Sequence, residues 1–178
     1  YMAGVFLPTI LSMAGFAKEP QSIALGNLEV QSVGLLGMVA CFFLIDAIGR
    51  RVLVIGGFIG MACGILIYLL TPKPTGLVML IGFALFEFMV FVGPGIMNNV
   101  YLGELWPTRI RTTGAGVGAA GGRISSMLGV FFLPLAAQTW GVKGMLIIPL
   151  VACVIGGLNA LLFAPETAGR SLEEMWGE

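Results

Sequence analysis

Residues 101–123 read YLGELWPTRIRTTGAGVGAAGGR, a charged loop that continues into a glycine-rich apolar segment with an arginine inside it. The loop carries Glu104, Arg109 and Arg111, and the apolar segment carries Arg123. Apolar runs long enough to span a membrane lie on both sides of the loop. The pattern predicts a charged turn at a membrane surface, with Arg123 carried into the membrane by the second run.

The composition of the chain supports a membrane assignment. Hydrophobic residues make up 58% and charged residues 10% of the 178 residues, and the mean hydropathy is +1.01. A soluble domain of this length could not bury so much apolar surface in one core. We therefore expect an all-α integral membrane protein in contact with the lipid bilayer.

Charge and cysteine usage exclude several classes of function. Nine basic residues balance nine acidic ones without a basic tract, so nucleic acid is not an expected partner. Cys41, Cys63 and Cys153 lie inside apolar runs, and the sequence has no histidine, so we expect small buried hydrophobes and no metal site. No nucleotide loop and no nucleophile beside a base is present, so we expect neither an enzyme nor a cofactor.

The chain divides into membrane-length segments separated by Pro, Gly and charged residues. Five segments can cross a bilayer, at residues 22–45, 52–70, 77–101, 112–136 and 144–164. Residues 1–16 are apolar but lack the basic start and cleavage site of a signal peptide, so we interpret them as the end of a further helix. Residues 165–178 form a tail after the last span.

Charge predicts the orientation of these segments. Arginines occupy alternate breaks and lysines occupy the others, so the Arg-rich loops and the C-terminus are expected to be cytoplasmic, in a plasma or inner membrane. The spans at 52–70 and 144–164 are almost wholly apolar and are expected to face lipid. The other three carry polar groups that usually face a cavity or another helix.

Five polar residues of those three spans are the candidate solute or proton sites: Glu29, Glu87, Asn98, Asn99 and Arg123. Glu87 lies about 15 Å into its helix, where an ionised carboxylate costs on the order of 3 kcal/mol unless it is paired or hydrated. Helical periodicity places Glu87, Phe91, Pro94, Asn98 and Tyr101 on one stripe, a candidate cavity wall. Glu87 is interpreted either as a proton or cation site or as a structural ion pair with Arg123.

Two glycine patterns carry open alternatives. Gly93, Pro94 and Gly95 interrupt the third span, and the resulting kink is either a gate or a static feature. Small residues recur every fourth position at 114, 118, 122 and 126, a pattern that favours tight helix packing over a moving interface.

Three clusters of mixed charge lie at the predicted cytoplasmic breaks. They comprise Asp46, Arg50 and Arg51; Glu104, Arg109 and Arg111; and Glu166 and Arg170. A network of ion pairs that breaks and re-forms can bias a conformational equilibrium, whereas isolated surface pairs contribute little. The alternative is that these charges only set the topology.

These motifs resemble the major facilitator superfamily, specifically the C-terminal six-helix half of its sugar-porter and organic-ion-transporter branches. DAIGRR at 46–51 is similar to the D-x-x-G-R-R loop between the eighth and ninth helices of the family, although Ala47 replaces a residue that is often basic. PETAGR at 165–170 is similar to the segment after its twelfth helix. The pattern Glu104 to Arg123 resembles organic-ion carriers, whereas SLEE at 171–174 resembles sugar porters.

The resemblance implies helices seven (in part) to twelve of a secondary transporter that works by alternating access around a central site. The expected partners are a small organic solute, either an organic ion or a sugar, a missing N-terminal six-helix half, and protons if transport is coupled to them. The alternative is a membrane receptor or scaffold that keeps the fold without transporting.

Overall fold

The computed structural model describes residues 20–71, 76–96, 106–107 and 109–164 of the chain. Within these ranges every regular element is helical. The helices are α1 (Pro20–Ile48), α2 (Arg50–Leu70), α3 (Gly76–Val92), α4 (Pro94–Ile96) and α5 (Arg111–Phe163). The predicted all-α fold is therefore confirmed, and the segments at 1–16 and 165–178 lie outside the described residues.

Helix α5 covers two of the predicted spans, because its backbone leaves the helical region at Gly141 (φ 69°, ψ −176°). A positive φ of this kind strongly favours glycine. We call residues 111–140 the first limb and residues 142–163 the second limb of α5. On a straight helix Ser126 and Ala152 would lie about 39 Å apart, yet both line one cavity. The chain therefore folds back at Gly141, inside the break predicted at 138–143.

Length and hydropathy support membrane crossing by most of these helices. Gln21–Ile48, Arg50–Leu70 and Arg111–Phe163 are long and apolar enough to cross a membrane, and Leu77–Val92 is a shorter apolar helix. Large apolar side chains such as Phe42, Phe43 and Phe131 are exposed. Exposure of this kind is stable in hydrocarbon and would be costly in water.

Glycines bring α2 and α3 into close contact. Gly57 packs on Gly93, and Cβ atoms added at Gly64 and Gly82 would lie 2.7 Å and 2.9 Å from each other's carbonyl oxygens. The residue numbers of the contacts rise along α2, from Gly57 to Gly64, while they fall from Gly93 to Gly82 on the other side. The two helices are therefore antiparallel. Because lipid offers no hydrophobic drive between helices, close backbone packing of this kind stabilises their association.

The second limb of α5 is antiparallel to α2 and linked to it at both ends. Arg51 Nη2 donates to the carbonyl oxygen of Leu161 at 2.8 Å, and Lys143 Nζ donates to that of Thr71 at 3.4 Å. Each helix thus has a cation from the other near its C-terminal carbonyls, where the helix dipole favours positive charge.

The main core cluster joins residues of α1, α2, α3 and both limbs of α5. Its largest fully buried side chains are Met79 and Val30, and Phe83, Leu133 and Met145 are also buried. Among the three cysteines, Cys153 is buried and Cys41 is half-buried, but Cys63 is exposed. The expectation of a buried Cys63 is wrong, because it lies on a side of α2 that no other described helix covers.

Candidate functional site

Glu87 lies at the interface between α3 and α1. Its side chain is only 8% exposed. A Cβ atom added at Gly34 of α1 would lie 3.0 Å from Glu87 Cγ and 2.9 Å from the ring of Phe91. The missing side chain of Gly34 therefore makes the room in which Glu87 and Phe91 pack against α1.

The other charged candidates in the described spans lie elsewhere. Arg123 is exposed on the first limb of α5, and Glu29 is exposed on α1. Cβ atoms added at the neighbouring Gly121 and Gly122 would meet nothing within 4 Å. No ion pair between Glu87 and Arg123 is observed among the described residues, and Asn98 and Asn99 lie outside them.

The predicted stripe through Glu87, Phe91 and Pro94 is divided by the interruption at Gly93. Helix α3 ends at Val92, Gly93 adopts a turn, and α4 begins at Pro94. Glu87 and Phe91 face α1, whereas Pro94 packs against Gly57 of α2. Periodicity on one continuous helix was therefore the wrong basis for extending the stripe past Gly93.

The Gly93, Pro94 and Gly95 interruption is tightly packed. The Gly93 amide donates to the Met89 carbonyl oxygen at 3.0 Å, and Pro94 has no amide hydrogen to continue the ladder to Val90. A Cβ atom at Gly95 would lie 3.0 Å from the Val90 carbonyl oxygen. Pro94 also packs against Gly57 of α2, so any movement of this kink must change that contact.

A charged junction joins α1, α2 and α5 at one end of the bundle. Gly49 connects α1 to α2 with φ 96°, a conformation that side chains disfavour. Arg50 Nη1 turns back to Asp46 Oδ1 at 3.0 Å and to the Ile45 carbonyl oxygen at 3.3 Å. Arg51 instead reaches Leu161 on α5. We call Asp46, Arg50, Arg51 and the Leu161 carbonyl the arginine junction.

Arg111 begins α5 in a half-buried position. Its Nε and Nη2 atoms are buried and have no hydrogen-bond partner among the described residues. Buried guanidinium donors without acceptors are costly. Arg109 lies in the preceding turn and is exposed, while the charged candidates Glu104, Glu166 and Arg170 are outside the described residues.

The small-residue stripe of α5, at positions 114, 118, 122 and 126, has different neighbours at different positions. The indole ring of Trp106 covers Gly114, whereas a Cβ atom at Gly122 would meet nothing within 4 Å. Ser126 donates its hydroxyl hydrogen to the Gly122 carbonyl oxygen at 2.9 Å. Tight packing is therefore observed at Gly114 but not at Gly122 within the part of the chain that the structure describes.

A cavity that the sequence patterns did not predict lies between α2, α3, α4 and both limbs of α5. Its volume is about 350 Å³, and its walls are mainly apolar. They include Ile65, Phe83, Phe86, Phe132, Met145 and Leu146. Neither Glu87 nor Arg123 contributes to the walls. No periodicity signal marks such a cavity, because its residues come from four helices.

Comparison with known proteins gives a consistent result. The family model described as "Sugar (and other) transporter" matches residues 3–176. YaaU of Escherichia coli (strain K12) is 30% identical over 95% of this chain and 38% of its own length. The glucose transporter GlcP of Staphylococcus epidermidis is 28% identical over 94% of this chain and 38% of its own length.

A solved structure shares the fold. A crystal structure of a double tryptophan mutant of XylE aligns with a TM-score of 0.87 and 23% identity, covering 98% of this chain and 38% of that one. This chain therefore spans well under half the length of these relatives. With the family model covering almost every residue, the chain belongs to the sugar (and other) transporter family of the major facilitator superfamily.

Proposed function

We propose that the complete protein carries a small organic solute across a membrane by alternating access. The observation that carries the proposal is the family match over residues 3–176. The packing of the helices supports the proposal. They are of membrane length, contact each other closely through glycines and are linked at their ends by hydrogen bonds, so the bundle can move as one body.

The chain would supply the C-terminal six-helix half of the transporter. Residues 1–16 would be the end of helix seven and residues 165–178 a cytoplasmic tail. The proposal is supported by the relatives, which are matched over 38% of their length. The missing N-terminal half would be the main protein partner, and the solute site would lie between the halves.

The arginine junction would act as part of a conformational latch. Arg50 and Arg51 are adjacent but bind different helices, so a shift of α1 relative to α5 would strain one of these contacts. The Arg111 donors that have no partner within the described ranges are suited to a carboxylate that arrives in another conformation. Glu104, Arg109, Glu166 and Arg170 would complete the network, on the cytoplasmic side if the Arg-rich loops face inward.

Glu87 would be the proton site if transport is coupled to protons. Its carboxyl group belongs to a side chain that is buried in a helix interface. A change of its charge would alter the cost of the contact between α3 and α1. Movement there could reach the adjoining kink at Gly93, Pro94 and Gly95, the proposed gate.

Arg123 would contact the solute, together with Asn98, Asn99 and Glu29. Its exposed position on the first limb of α5 supports this role. A guanidinium can hold an anionic group or a sugar hydroxyl. The solute is therefore an organic ion or a sugar, and the glucose transporter among the relatives favours the sugar. We assign no enzymatic step and no cofactor.

Solute uptake tests the proposal. The protein, expressed from its complete gene, is reconstituted into liposomes and offered a panel of radiolabelled sugars and organic ions. We expect saturable uptake of at least one solute and faster exchange when the same solute is preloaded. Binding without uptake across the whole panel would contradict the proposal and favour a receptor or scaffold.

A further inference from the structure

The cavity between α2, α3, α4 and α5 has no charged wall among its described residues. Its hydroxyl groups belong to Ser125 and Ser126. These donate to the carbonyl oxygens of Gly121 and Gly122 at 3.0 Å and 2.9 Å, one turn back on the same helix. Each hydroxyl hydrogen is therefore already used inside α5.

Such walls fit a hydrocarbon better than the transported solute. A sugar or organic ion that entered would give up its hydrogen bonds to water and find few replacements. The solute-site candidates Glu87 and Arg123 lie outside the walls. The cavity is thus chemically distinct from the proposed solute site.

The cavity is also large enough for an apolar occupant. An apolar cavity of about 150 Å³ can bind a small hydrocarbon such as benzene. At about 350 Å³ this cavity has room for a larger apolar group.

One side of the cavity is continuous with the apolar outer surface of the helices. Phe83, Phe86, Met145 and Leu146 are buried and form its deep wall. Phe132 and Ile148 also line it but are 49% and 38% exposed, and exposed Val151 and Ile155 lie beside Ile148 along α5. In an integral membrane protein, lipid covers a surface of this kind.

We propose that this cavity is a lipid site that holds an acyl chain of a membrane phospholipid. The chain enters between Phe132 and Ile148 and lies against Phe86 and Met145, while its headgroup stays outside the cavity. An occupant in this position packs against α2, α3 and both limbs of α5. Neither Glu87 nor Arg123 lines the site, although Pro94 of the proposed gate does. The proposal does not depend on the identity of the solute.

Photolabelling of the complete protein in liposomes tests this inference. Two phosphatidylcholine probes are compared, one with a diazirine near the end of an acyl chain and one with a diazirine on the headgroup. Labelled residues are mapped by mass spectrometry. We expect the acyl probe to label deep-wall residues such as Met145 and Phe86, and the headgroup probe to leave them unlabelled.

A matched pair of variants sharpens the test. Ala152→Phe places a large side chain in the cavity wall, whereas Val151→Phe enlarges its exposed neighbour. Deep-wall labelling should be lost in Ala152→Phe and kept in Val151→Phe, with labelling of exposed Phe42 unchanged in both.

Three results would overturn the inference. One is equal labelling of the deep wall by both wild-type probes, and another is no deep-wall labelling at all. The third is protection of the wall by a transported solute, which would make the cavity part of the solute path. The wild-type comparison remains decisive even if Ala152→Phe fails to fold.

Discussion

Glu87 and Arg123 are both ionisable residues inside membrane-length helices, but their surroundings are opposite. Glu87 is 8% exposed and packs against Gly34 of α1. Arg123 is exposed on the first limb of α5, beside glycines that face open space. The sequence alone shows that both residues carry charge at membrane depth. Only the packing around them shows that Glu87 lies in a helix interface and Arg123 on a surface.

Neutralising Glu87 should have the largest effect. In Glu87→Gln the side chain keeps its size but can no longer release a proton, so we expect complete loss of solute accumulation driven by a pH gradient. Solute exchange at equal pH should persist, because it needs no net proton movement. Both rates are measured in proteoliposomes, and accumulation that survives the substitution would contradict the proton role.

Neutralising Arg123 should weaken solute binding without uncoupling transport. Hydrogen bonds to charged groups contribute about 1.5–3 kcal/mol, so Arg123→Gln should raise the half-saturating solute concentration at least about tenfold. Arg123→Lys keeps the charge and should recover part of the loss. The concentration dependence of uptake measures both, and an unchanged value in Arg123→Gln would remove Arg123 from the solute site.

Filling the space beside Glu87 should destabilise the bundle. Gly34→Leu forces a side chain into Glu87 and Phe91, an overpacking that typically costs about 1–3 kcal/mol. Gly56→Leu is the matched control, because a Cβ atom there meets nothing within 4 Å. Thermal unfolding in detergent should show a lower Tm only for Gly34→Leu, and equal Tm values would argue against the α1 contact.

The arginine junction should give the smallest effects. Arg51→Gln loses the bond to the Leu161 carbonyl oxygen, which is expected to contribute only about 1 kcal/mol because the bond is exposed to solvent. Asp46→Asn weakens the pair between Arg50 and the largely exposed Asp46 carboxylate, which is expected to contribute about 0–1 kcal/mol. Denaturant titration in detergent ranks the two, and a larger loss for Asp46→Asn would reverse the order that the geometry predicts.

Sequence patterns predicted the fold well because membrane helices need long apolar runs. The break at 138–143 contains the non-helical Gly141, and the family resemblance is confirmed by the match over residues 3–176. The full length of the span at 77–101 stays a prediction, since residues 97–105 are outside the described part.

Contacts between distant residues could not be predicted in the same way. Nothing local to Arg51 indicates that its partner is the Leu161 carbonyl oxygen. Hydrophobicity alone predicted lipid contact for α2, yet six of its residues are buried, among them Val54, Ile65 and Tyr68. Two contacts explain the burial of α2: its glycines allow α3 to approach closely, and its Phe58 packs on Gly156 of α5. Neither contact is visible in the apolar pattern of the α2 sequence.

Thiol accessibility tests the central contrast most directly. In the complete protein with Cys41, Cys63, Cys153 and every other native cysteine replaced, single Glu87→Cys and Arg123→Cys variants are treated in liposomes with a charged, water-soluble thiol reagent. We predict reaction in Arg123→Cys that the solute slows, and no reaction in Glu87→Cys. Reaction in Glu87→Cys that the solute blocks, with none in Arg123→Cys, would contradict the assignment of Arg123 to the solute path and Glu87 to the helix interface.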